Sequence, residues 1–548
     1  MIKSGVNLTF NYGQHILFAL NPEMNSILKA SKKYITLIQG FKLNLVIVRW
    51  YKVRQFLNLA QLRYIENESA KLGVDLIDRA GHSIALWVSQ NFTKKVRVLI
   101  VIGRGNNGCD GLSAAIKLVQ MGYKVDTVRL FKDNTAINQK WFDLLQPVKK
   151  SLVKIPGDLN KYGLIIDAIY GIGLTHELDV ETAKTIQKIN DSMAHILALD
   201  APSGLNPFSG RIQGESICAD STLTFISDKP GLHTGDGLDT CGEIEIVDLV
   251  KLTEFNLPES NHIIRFNLLS EINYNQLMRT KFNTSKGSYG TVAIIGGNKG
   301  MHGALYLAGR AALLSGAGKV VLGSLDSDFR LSMDTPELMY QPPKEIIKNL
   351  QAYDAIAIGP GLGQDEKAVK ILDKLLDDIE DSKLLVDADA LNLISTNHAL
   401  KLKFREVRYK IITPHPGEAA RILGVTVNEV QDNRFMSIAD LTDKLNSVTI
   451  LKGAGTLIQS GNEIYINSTG NPALANAGQG DILTGIIAAF LTQGLDLISA
   501  SRLGVFVHGM AANRLVNERK GFNGILASDI IVTVSNLINE LVYAEVFE

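Results

Sequence analysis

From residue 57 onward, apolar and polar positions follow two recurring patterns. Apolar residues recur at helical spacing between residues 57 and 92, which predicts helices there. A short β-rich run at 96–102 predicts a strand, and beyond a glycine-rich segment the pattern predicts a helix over 112–121 and a strand over 124–130. Strands that alternate with helices predict a parallel sheet covered on both faces.

A second alternating series follows in the C-terminal half. Apolar runs predict further buried strands at residues 291–295, 355–358, 384–386, 410–412 and 448–451. Few strong apolar runs occur over 252–286, so we place a domain boundary near residue 275. The chain is therefore predicted to be an α/β protein with two three-layer domains, at residues 56–270 and 275–548.

The first residues differ in charge from the rest. Met1–Arg54 carries eight Lys or Arg and one acid, Glu23, and its apolar run at 43–48 is too short to span a bilayer. A basic, acid-poor start is typical of a transit peptide. An extension without fixed structure, or a start codon assigned too far upstream, gives the same pattern. We assign no function to this leader, residues 1–55.

The net charge and the number of cysteines limit the kinds of molecule that the protein is expected to bind. The 56 basic and 56 acidic residues of the 548-residue chain give a formal net charge of zero, which argues against nucleic-acid or membrane partners. Three cysteines are too few for a disulfide framework, so we expect a reducing, cytoplasmic location. We therefore expect small-molecule ligands and a homo-oligomer.

The first glycine-rich segment, 103–111, contains Gly-x-Gly-x-x-Gly between a strand and a helix. This spacing is that of dinucleotide-binding loops, although alone it is weak evidence. Two asparagines and an aspartate also crowd the segment. An ordinary dinucleotide loop rarely needs such side chains, so we expect them to bind a ligand themselves.

Three more predicted strands of this half end in polar or glycine-containing sequence. These ends begin at Asp167, Asp200 and Phe225. Each Asp, taken singly, could equally cap a helix or form a turn. Because ligands bind beyond the carboxyl ends of parallel strands, the ends together predict a binding site.

Residues 57–250 resemble the N-terminal, epimerase domain of the bifunctional NAD(P)H-hydrate repair enzymes. The resemblance rests on Asn-Asn-Gly-x-Asp at 106–110, Asp-x-x-x-Gly-x-Gly from Asp167, Asp-x-Pro-Ser-Gly from Asp200 and Lys-Pro-Gly from Lys229. It implies a Rossmann-like sandwich. Cys109 stands where the family has a second glycine.

The resemblance also implies residue roles. Asp200 would be the acid–base catalyst and contact the substrate. A potassium ion would be held by the hard oxygen donors of Asn107, Asp167 and Ser203. The hydrated nucleotide would contact two segments, Asn106, Asn107, Gly108, Cys109 and Asp110, and Gly171, Ile172, Gly173, Leu174, Thr175, His176 and Glu177.

In the C-terminal half, small residues lead into Gly478-Gln-Gly-Asp481 and then directly into an apolar helix. The N–H groups and positive end of such a helix stabilise an anionic phosphate. Asp481 is placed to take a proton from a hydroxyl that attacks phosphorus. The alternative is a helix N-cap aspartate after a flexible turn.

Four more loops in this half have ligand-binding composition. They are Lys452-Gly-Ala-Gly-Thr456, which could surround a nucleotide phosphate, Gly359–Gly363, Thr413–Glu418 and Val386–Asn392. The last contains carboxylates of the type that hold magnesium directly or through water. Common Pro-Gly turns and a hydrogen-bonded loop histidine are the alternatives.

Residues 280–535 resemble the ADP-dependent NAD(P)H-hydrate dehydratase domain, a ribokinase-like sandwich. The resemblance implies ADP as co-substrate and a magnesium ion. Gln479 stands where the family usually has methionine. The nucleotide would contact Lys452, Gly453, Ala454, Gly455, Thr456 and Gly480, and the hydrated substrate would contact Ala304, Gly361, His415 and Asp481.

Taken together, the resemblances imply an enzyme that repairs hydrated NAD(P)H. One domain would interconvert the R and S epimers, and the other would dehydrate the S epimer at the expense of ADP, giving AMP and phosphate. The alternative is a ribokinase-like kinase for a small molecule, fused to a scaffold or RNA-binding domain. Retention of Asn107, Asp110, Asp167 and Asp200 argues against the scaffold.

Overall fold

Two β-sheets organise the chain in the computed structural model, which describes residues 55–131, 136–145, 152, 154–174 and 177–543. The predicted leader lies outside the described residues except for its last residue. No helix in the described ranges combines the length and apolar character needed to cross a membrane.

The described strands of the first half are β1 (Gln55–Phe56), β2 (Arg97–Ile102), β3 (Lys124–Arg129), β4 (Leu164–Ala168), β5 (His195–Leu199), β6 (Ser221–Phe225), β7 (Glu243–Val247) and β8 (Ile263–Phe266). Within the described residues, six of them form an all-parallel sheet in the order β3-β2-β4-β5-β6-β7. The helices of this half are α1 (Leu59–Lys71), α2 (Leu76–Asn91), α3 (Asn106–Gln120), α4 (Ala136–Leu145), α5 (Val180–Asn190) and α6 (Gly237–Thr240).

The central strands of this sheet are buried on both faces. Successive side chains of β2 point to opposite faces. Val98, Ile100 and Ile102 belong to one apolar core, and Leu99 and Val101 belong to the other. A strand buried on both sides reads as a continuous apolar run, which is why the sequence pattern identified it.

The strands of the second half are β9 (Thr291–Gly296), β10 (Lys319–Ser324), β11 (Met339–Tyr340), β12 (Ala355–Ile358), β13 (Lys383–Val386), β14 (Lys410–Ile412), β15 (Val448–Leu451), β16 (Leu457–Ser460) and β17 (Glu463–Ile466). In the part of the chain that the structure describes, the second sheet has eleven strands, in the order β1-β8-β17-β16-β15-β14-β13-β12-β9-β10-β11. Strands β9 to β15 pair in parallel where they adjoin, and β15, β16 and β17 form an antiparallel meander.

The helices of this half pack against the second sheet and against each other. These helices are α7 (His302–Leu314), α8 (Pro343–Lys348), α9 (Glu366–Asp378), α10 (Ala388–Thr396), α11 (His398–Glu406), α12 (Pro416–Leu423), α13 (Val427–Asp432), α14 (Arg434–Leu445), α15 (Gln479–Thr492), α16 (Leu497–Arg519) and α17 (Ala527–Tyr543). Among the described helices, α7 and α15 form the most extensive pair.

The edge of the large sheet is built from residues of the predicted first domain. Strand β8 pairs in parallel with β17, and β1 pairs antiparallel with β8. The segment over 263–266 thus belongs to the sheet of the C-terminal half. The domain limits at 270 and 275 stay predictions.

The largest local difference from the sequence-based prediction concerns α3, which begins at Asn106 rather than at residue 112. The glycine-rich segment forms the first turns of this helix, although glycine disfavours helices. Packing explains the difference, because a Cβ atom on Gly111 would lie 2.6 Å from the Cβ of Ala168 in β4. Glycine there lets α3 approach the sheet.

Candidate active sites

Asp200 lies directly after β5, with a φ of 67°, in the left-handed region that non-glycine residues rarely adopt. Its amide donates to the carbonyl of Leu223 at 2.7 Å, which fixes the turn. The Asp200 carboxylate forms an ion pair with Lys229. Lys229 is 1% exposed and also donates to Thr224 Oγ1 and the Phe225 carbonyl. This strained, charge-paired carboxylate is typical of a functional site.

Two other predicted segments converge on Asp200. Burial raises the pKa of Asp110, on α3, well above its ordinary range, and the nearby charge of Asp200 adds to the shift. A Cβ atom on Gly171 would lie 3.2 Å from Asp200 Oδ2 and 3.4 Å from Asn107 Cγ. The segments at 106–110 and 171–174 therefore meet Asp200 at the carboxyl edge of the sheet.

Asn107 and Ser203 bind the backbone of Tyr170, and Ser203 also binds Asp167. Asn107 Nδ2 donates to the Tyr170 carbonyl at 2.8 Å, and the Tyr170 amide donates to Ser203 Oγ at 2.8 Å. Ser203 Oγ donates to Asp167 Oδ1 at 2.6 Å. Burial raises the pKa of Asp167 to about 6 against the hydrogen bonds from Ser203 and Ile169.

The amide oxygen of Asn107 is a further acceptor at this place. Asn107 Oδ1 is buried and has no hydrogen-bond partner among the described residues. Buried polar atoms are normally satisfied, so an unpaired buried oxygen fits an ion or another ligand. Asn107, Asp167 and Ser203 all offer oxygen atoms, which are the ligand type that hard cations prefer.

The other predicted contacts of the first site have different exposures. Cys109, which replaces the family's glycine, is fully buried and packs in the apolar core. Its sulfur is therefore accommodated by the protein interior. Asn106, Gly173 and Glu177 are exposed, Ile172 is half-buried, Gly108 and Leu174 are buried, and Thr175 and His176 lie outside the described residues.

Asp481 is the third residue of α15, which begins after Gly478 at a φ of 89°. Burial raises the pKa of Asp481 to about 7, and the negative charge of Asp387 adds to this while Lys452 opposes it. A Cβ atom on Gly480 would lie 3.4 Å from Lys452 Nζ. A carboxylate with this pKa can exchange a proton near neutral pH.

Lys452 is the positive charge that pairs with two carboxylates of the second site, Asp387 and Glu418. Its Nζ lies 2.8 Å from Asp387 Oδ1 and 3.9 Å from Glu418 Oε2. Burial opposes its charge, but the carboxylates of Asp387 and Glu418 outweigh this and raise its pKa. Thr484 Oγ1 donates to the second oxygen of Asp387 at 3.0 Å. A fixed cation therefore lies beside Gly480 and Asp481.

The predicted magnesium carboxylates are already engaged. Asp387 is 1% exposed and holds Lys452, while Asp389 accepts from the Gly363 amide at 2.9 Å and from Gln364 at 3.0 Å. Across the described part of the chain, no three His, Cys, Asp or Glu side chains are grouped to hold a metal. These residues do not form a protein-built magnesium site.

A cavity of about 410 Å³ opens in front of Asp481. Three of the predicted substrate contacts, Ala304, Gly361 and Asp481, line it together. A Cβ atom on Gly361 would lie 3.3 Å from that of Ala304, so the wall is close-packed at this point. The full lining is Gly300, Met301, Gly303, Ala304, Gly361, Ala388, Asp389, Asn392, Glu418 and Asp481.

His415, the fourth predicted substrate contact, is not among the residues that line this cavity. It caps α12, because its Nδ1 accepts hydrogen bonds from the amides of Gly417 at 2.9 Å and Glu418 at 3.3 Å. Burial, and then the charge of Lys452, lower the pKa of His415. The neutral ring thereby fixes the start of the helix that carries Glu418.

The predicted nucleotide turn, residues 452–456, follows β15 directly. Gly453 has a φ of 139° and Gly455 a φ of 61°, conformations that side chains disfavour. The turn's first residue, Lys452, reaches Gly480. The structure thus brings both predicted nucleotide segments to one place, beside Asp481.

Two residues in these sites, Lys229 and Glu418, had no predicted role. Lys229 occurs in the Lys-Pro-Gly motif, and Glu418 ends the Thr-Pro-His-Pro-Gly-Glu loop. Both are buried. Fully buried Lys and Glu residues are rare unless they are paired. A charged residue within such a short apolar loop was therefore the sequence signal that could have identified both.

Two family models match the chain. Residues 73–231 match the model described as YjeF-related protein N-terminus, and residues 292–536 match the model described as NAD(P)H-hydrate dehydratase. A solved structure similar to this chain is the ADP/ATP-dependent NAD(P)H-hydrate dehydratase from Bacillus subtilis, co-crystallised with ATP and Mg²⁺. It is 32% identical, covers 48% of this chain and 94% of its own, and has a TM-score of 0.41.

Full-length relatives match both halves at once. The bifunctional NAD(P)H-hydrate repair enzyme of Coxiella burnetii is 36% identical over 491 residues, covering 87% of this chain and 98% of the relative. That of Escherichia coli is 34% identical over 494 residues, covering 87% and 93%. With two predicted sites in two α/β sheets and relatives that span both, the chain belongs to the family of bifunctional NAD(P)H-hydrate repair enzymes.

Proposed function

We propose that this protein repairs hydrated NADH and NADPH by two reactions. The N-terminal site interconverts the R and S epimers of the hydrate. The C-terminal site dehydrates the S epimer at the expense of ADP, giving AMP and phosphate. Because the dehydratase uses one epimer, an epimerase in the same chain supplies it from the other.

The observation that carries this proposal is the arrangement around Asp481. Its carboxylate, with a pKa raised to about 7, faces a cavity beside the fixed cation Lys452 and the start of α15. A base, a cation and a helix N-terminus together are the components of phosphoryl transfer to a hydroxyl group.

Leaving-group chemistry explains why a phosphoryl donor is needed. Hydroxide leaves poorly from C6 of the nicotinamide ring, whereas phosphate leaves well. The C6 hydroxyl attacks the β-phosphorus of ADP, its proton passes to Asp481, and AMP departs. Loss of phosphate from C6, with a proton from the adjacent ring carbon, then restores the dihydronicotinamide.

Other residues of the second site would position the reactants. Lys452 and the first amides of α15 stabilise the negative charge that develops on the transferred group. The turn at 453–456 and Gly480 hold the adenine nucleotide. The hydrate occupies the cavity between Ala304, Gly361 and Asp481, and His415 acts by fixing α12.

In the first site, Asp200 would transfer the proton as the hydroxyl is transiently lost and regained on the opposite face. Lys229 balances the charge of this carboxylate, and Asp110 and Gly171 complete the contact surface. Asn107, Asp167 and Ser203 would hold a potassium ion. When bound there, such an ion would supply a fixed positive charge near the substrate.

Among the described residues, Asp387 and Asp389 do not fit a resident magnesium ion, because Asp387 pairs with Lys452 and Asp389 accepts hydrogen bonds from the Gly363 amide and the Gln364 side chain. Magnesium would therefore arrive with the nucleotide phosphates. We expect small-molecule partners alone, a homo-oligomer and a cytoplasmic location. Cys109, Cys218 and Cys241, which all lie in the described residues, form no disulfide bond.

The test is incubation with hydrated NADH plus ADP or ATP, following recovery of dihydronicotinamide absorbance. ADP should support the higher rate, and AMP and phosphate should accumulate in equal amounts. Turnover with ATP alone at saturating concentration would refute the ADP preference. No recovery with either nucleotide would refute the dehydratase assignment.

A further inference from the structure

A residue of the N-terminal half lies against the predicted nucleotide turn of the C-terminal half. Thr234 follows a short 3-10 helix, Pro230–His233. Its hydroxyl lies 2.9 Å from the carbonyl oxygen of Ala454 and 3.0 Å from that of Gly455. The side chain of Thr234 is fully buried. Water therefore does not compete for this contact.

Backbone atoms strengthen the same contact. The amide of Gly235 donates to the Ala454 carbonyl at 3.1 Å. A Cβ atom on Gly455 would lie 2.2 Å from the carbonyl oxygen of His233. Glycine at 455 thus allows the close approach of the N-terminal half, in addition to any role in binding a phosphate.

A buried arginine fixes the other side of Thr234. Arg434, 1% exposed, donates from Nε to Thr234 Oγ1 at 3.2 Å and from Nη2 to the Leu451 carbonyl at 3.3 Å. It also donates to Gln431 Oε1 at 2.9 Å. A buried guanidinium held by neutral oxygens is sensitive to the loss of any one acceptor.

These contacts use the carbonyl oxygens of the turn as acceptors and do not involve its amide N–H groups. Within the described residues, none of the amides of Gly453, Ala454, Gly455 and Thr456 donates a hydrogen bond. Successive free amides in a turn with left-handed residues form a concave anion site. The contact with Thr234 therefore orients the donor groups that would face a nucleotide phosphate.

We propose that Thr234 is a positioning residue for ADP: the epimerase half completes the nucleotide site of the dehydratase half. This inference rests on the proposed assignment of residues 452–456 as the nucleotide turn. Thr234 does not touch the reacting atoms, so its loss should weaken ADP binding without slowing the chemical step. Loss of one buried hydroxyl that satisfies three partners predicts an effect of about tenfold.

The test compares Thr234→Val with Thr222→Val. Thr222 is a matched control, since its buried hydroxyl donates to the Cys241 carbonyl at 2.6 Å within the first half. Thr234→Val should raise the KM for ADP about tenfold, with kcat of dehydration and the epimerisation rate within twofold of wild type. Thr222→Val should leave the KM for ADP unchanged, and Thr234→Ser should restore it.

Hydrogen exchange of the 453–456 amides, with and without ADP, separates this inference from the site assignment. Protection by ADP in the wild type together with an unchanged KM in Thr234→Val would overturn the role of Thr234. No protection in a dehydration-competent wild type would overturn the assignment of the turn. If Thr234→Val melts early, Thr234→Ala, which adds no methyl group against Arg434, is measured below its Tm and must show the same KM increase.

Discussion

At the scale of single residues, the two proposed catalytic carboxylates are controlled in different ways. Burial, and then the charge of Asp387, raise the pKa of Asp481 to about 7. Asp200 is held by geometry, at a φ of 67° and in an ion pair with Lys229. The first arrangement suits a base that takes up a proton near neutral pH, and the second one fixes the orientation of the carboxylate that would transfer the proton in epimerisation.

Replacing Asp481 by Asn should lower the rate of dehydration of the S epimer by about 10²- to 10⁴-fold, because a positioned base is lost. The Tm at pH 8 should not fall, since the amide removes a charge that burial disfavours. Epimerisation by the same variant, which uses the first site, is the control and should stay near the wild-type rate. Turnover of the Asp481→Asn variant near the wild-type rate would contradict the role of Asp481.

The pH dependence of dehydration should report the same group. The pKa of Asp481 is raised to about 7, so the carboxylate takes up a proton as the pH falls below that value. With a base required, kcat/KM for the S epimer should fall about tenfold per pH unit well below 7. The profile is measured at saturating ADP. A flat profile between pH 5.5 and 7, as rough limits, would argue that Asp481 is not the base.

Motif-bearing carboxylates could be predicted from the sequence because they directly follow apolar strands or open a helix. The pairing of these carboxylates with cations could not. Lys452 was predicted as a nucleotide contact, but it lies 65 residues from Asp387 in sequence, and their contact depends on strands β13 and β15 lying in one sheet. Asp387, one of the 386–392 carboxylates of a type that holds magnesium, forms an ion pair with Lys452 instead.

At the scale of elements, α15 carries Asp481 and packs on α7, which carries Ala304. The contact is close, because a Cβ atom on Gly485 would lie 2.1 Å from the carbonyl oxygen of Ala308. The relative placement of these two helices therefore sets the distance between the proposed base and one wall of the cavity.

Gly485→Ala should separate the two helices, lowering the Tm and slowing dehydration while epimerisation continues. Overpacking of this kind costs about 1–3 kcal/mol. Gly521→Ala is the control, since an added Cβ atom there meets nothing within 4 Å. Differential scanning calorimetry and initial rates provide the measurements. An unchanged Tm and rate would show that the helix contact adjusts without cost.

Elements buried on both faces of a sheet were well predicted, and the start of α3 was not. The apolar runs at 355–358, 410–412 and 448–451 coincide with strands β12, β14 and β15. Local glycine content opposed a helix at 106–111, and packing against β4 decided otherwise. Tertiary contact outweighs intrinsic propensity there.

At the scale of the whole molecule, each sheet carries one site at the carboxyl ends of its strands. Asp200 follows β5 of the first sheet, and the nucleotide turn follows β15 of the second. The buried contact of Thr234 with Ala454 joins the halves. Two domains were predictable from the sequence, whereas this contact was not, because its partners are 220 residues apart.

In the proposed function, the two sites catalyse different reactions and act independently. It follows that Asp200→Asn and Asp167→Ala should block conversion of the R epimer to the S epimer and spare ADP-dependent dehydration of purified S epimer. These side chains belong to the first sheet, whereas Lys452, Gly480 and Asp481 belong to the second half. Asp481→Asn is the reciprocal control.

The most direct test is therefore a pair of initial rates, measured separately on purified R and S epimers for the wild type, Asp200→Asn and Asp481→Asn. The use of initial rates prevents slow uncatalysed interconversion from masking an effect. We predict that Asp200→Asn loses only R-to-S conversion and that Asp481→Asn loses only dehydration. Loss of S-epimer dehydration in a folded Asp200→Asn variant, or wild-type epimerisation by that variant, would contradict the account.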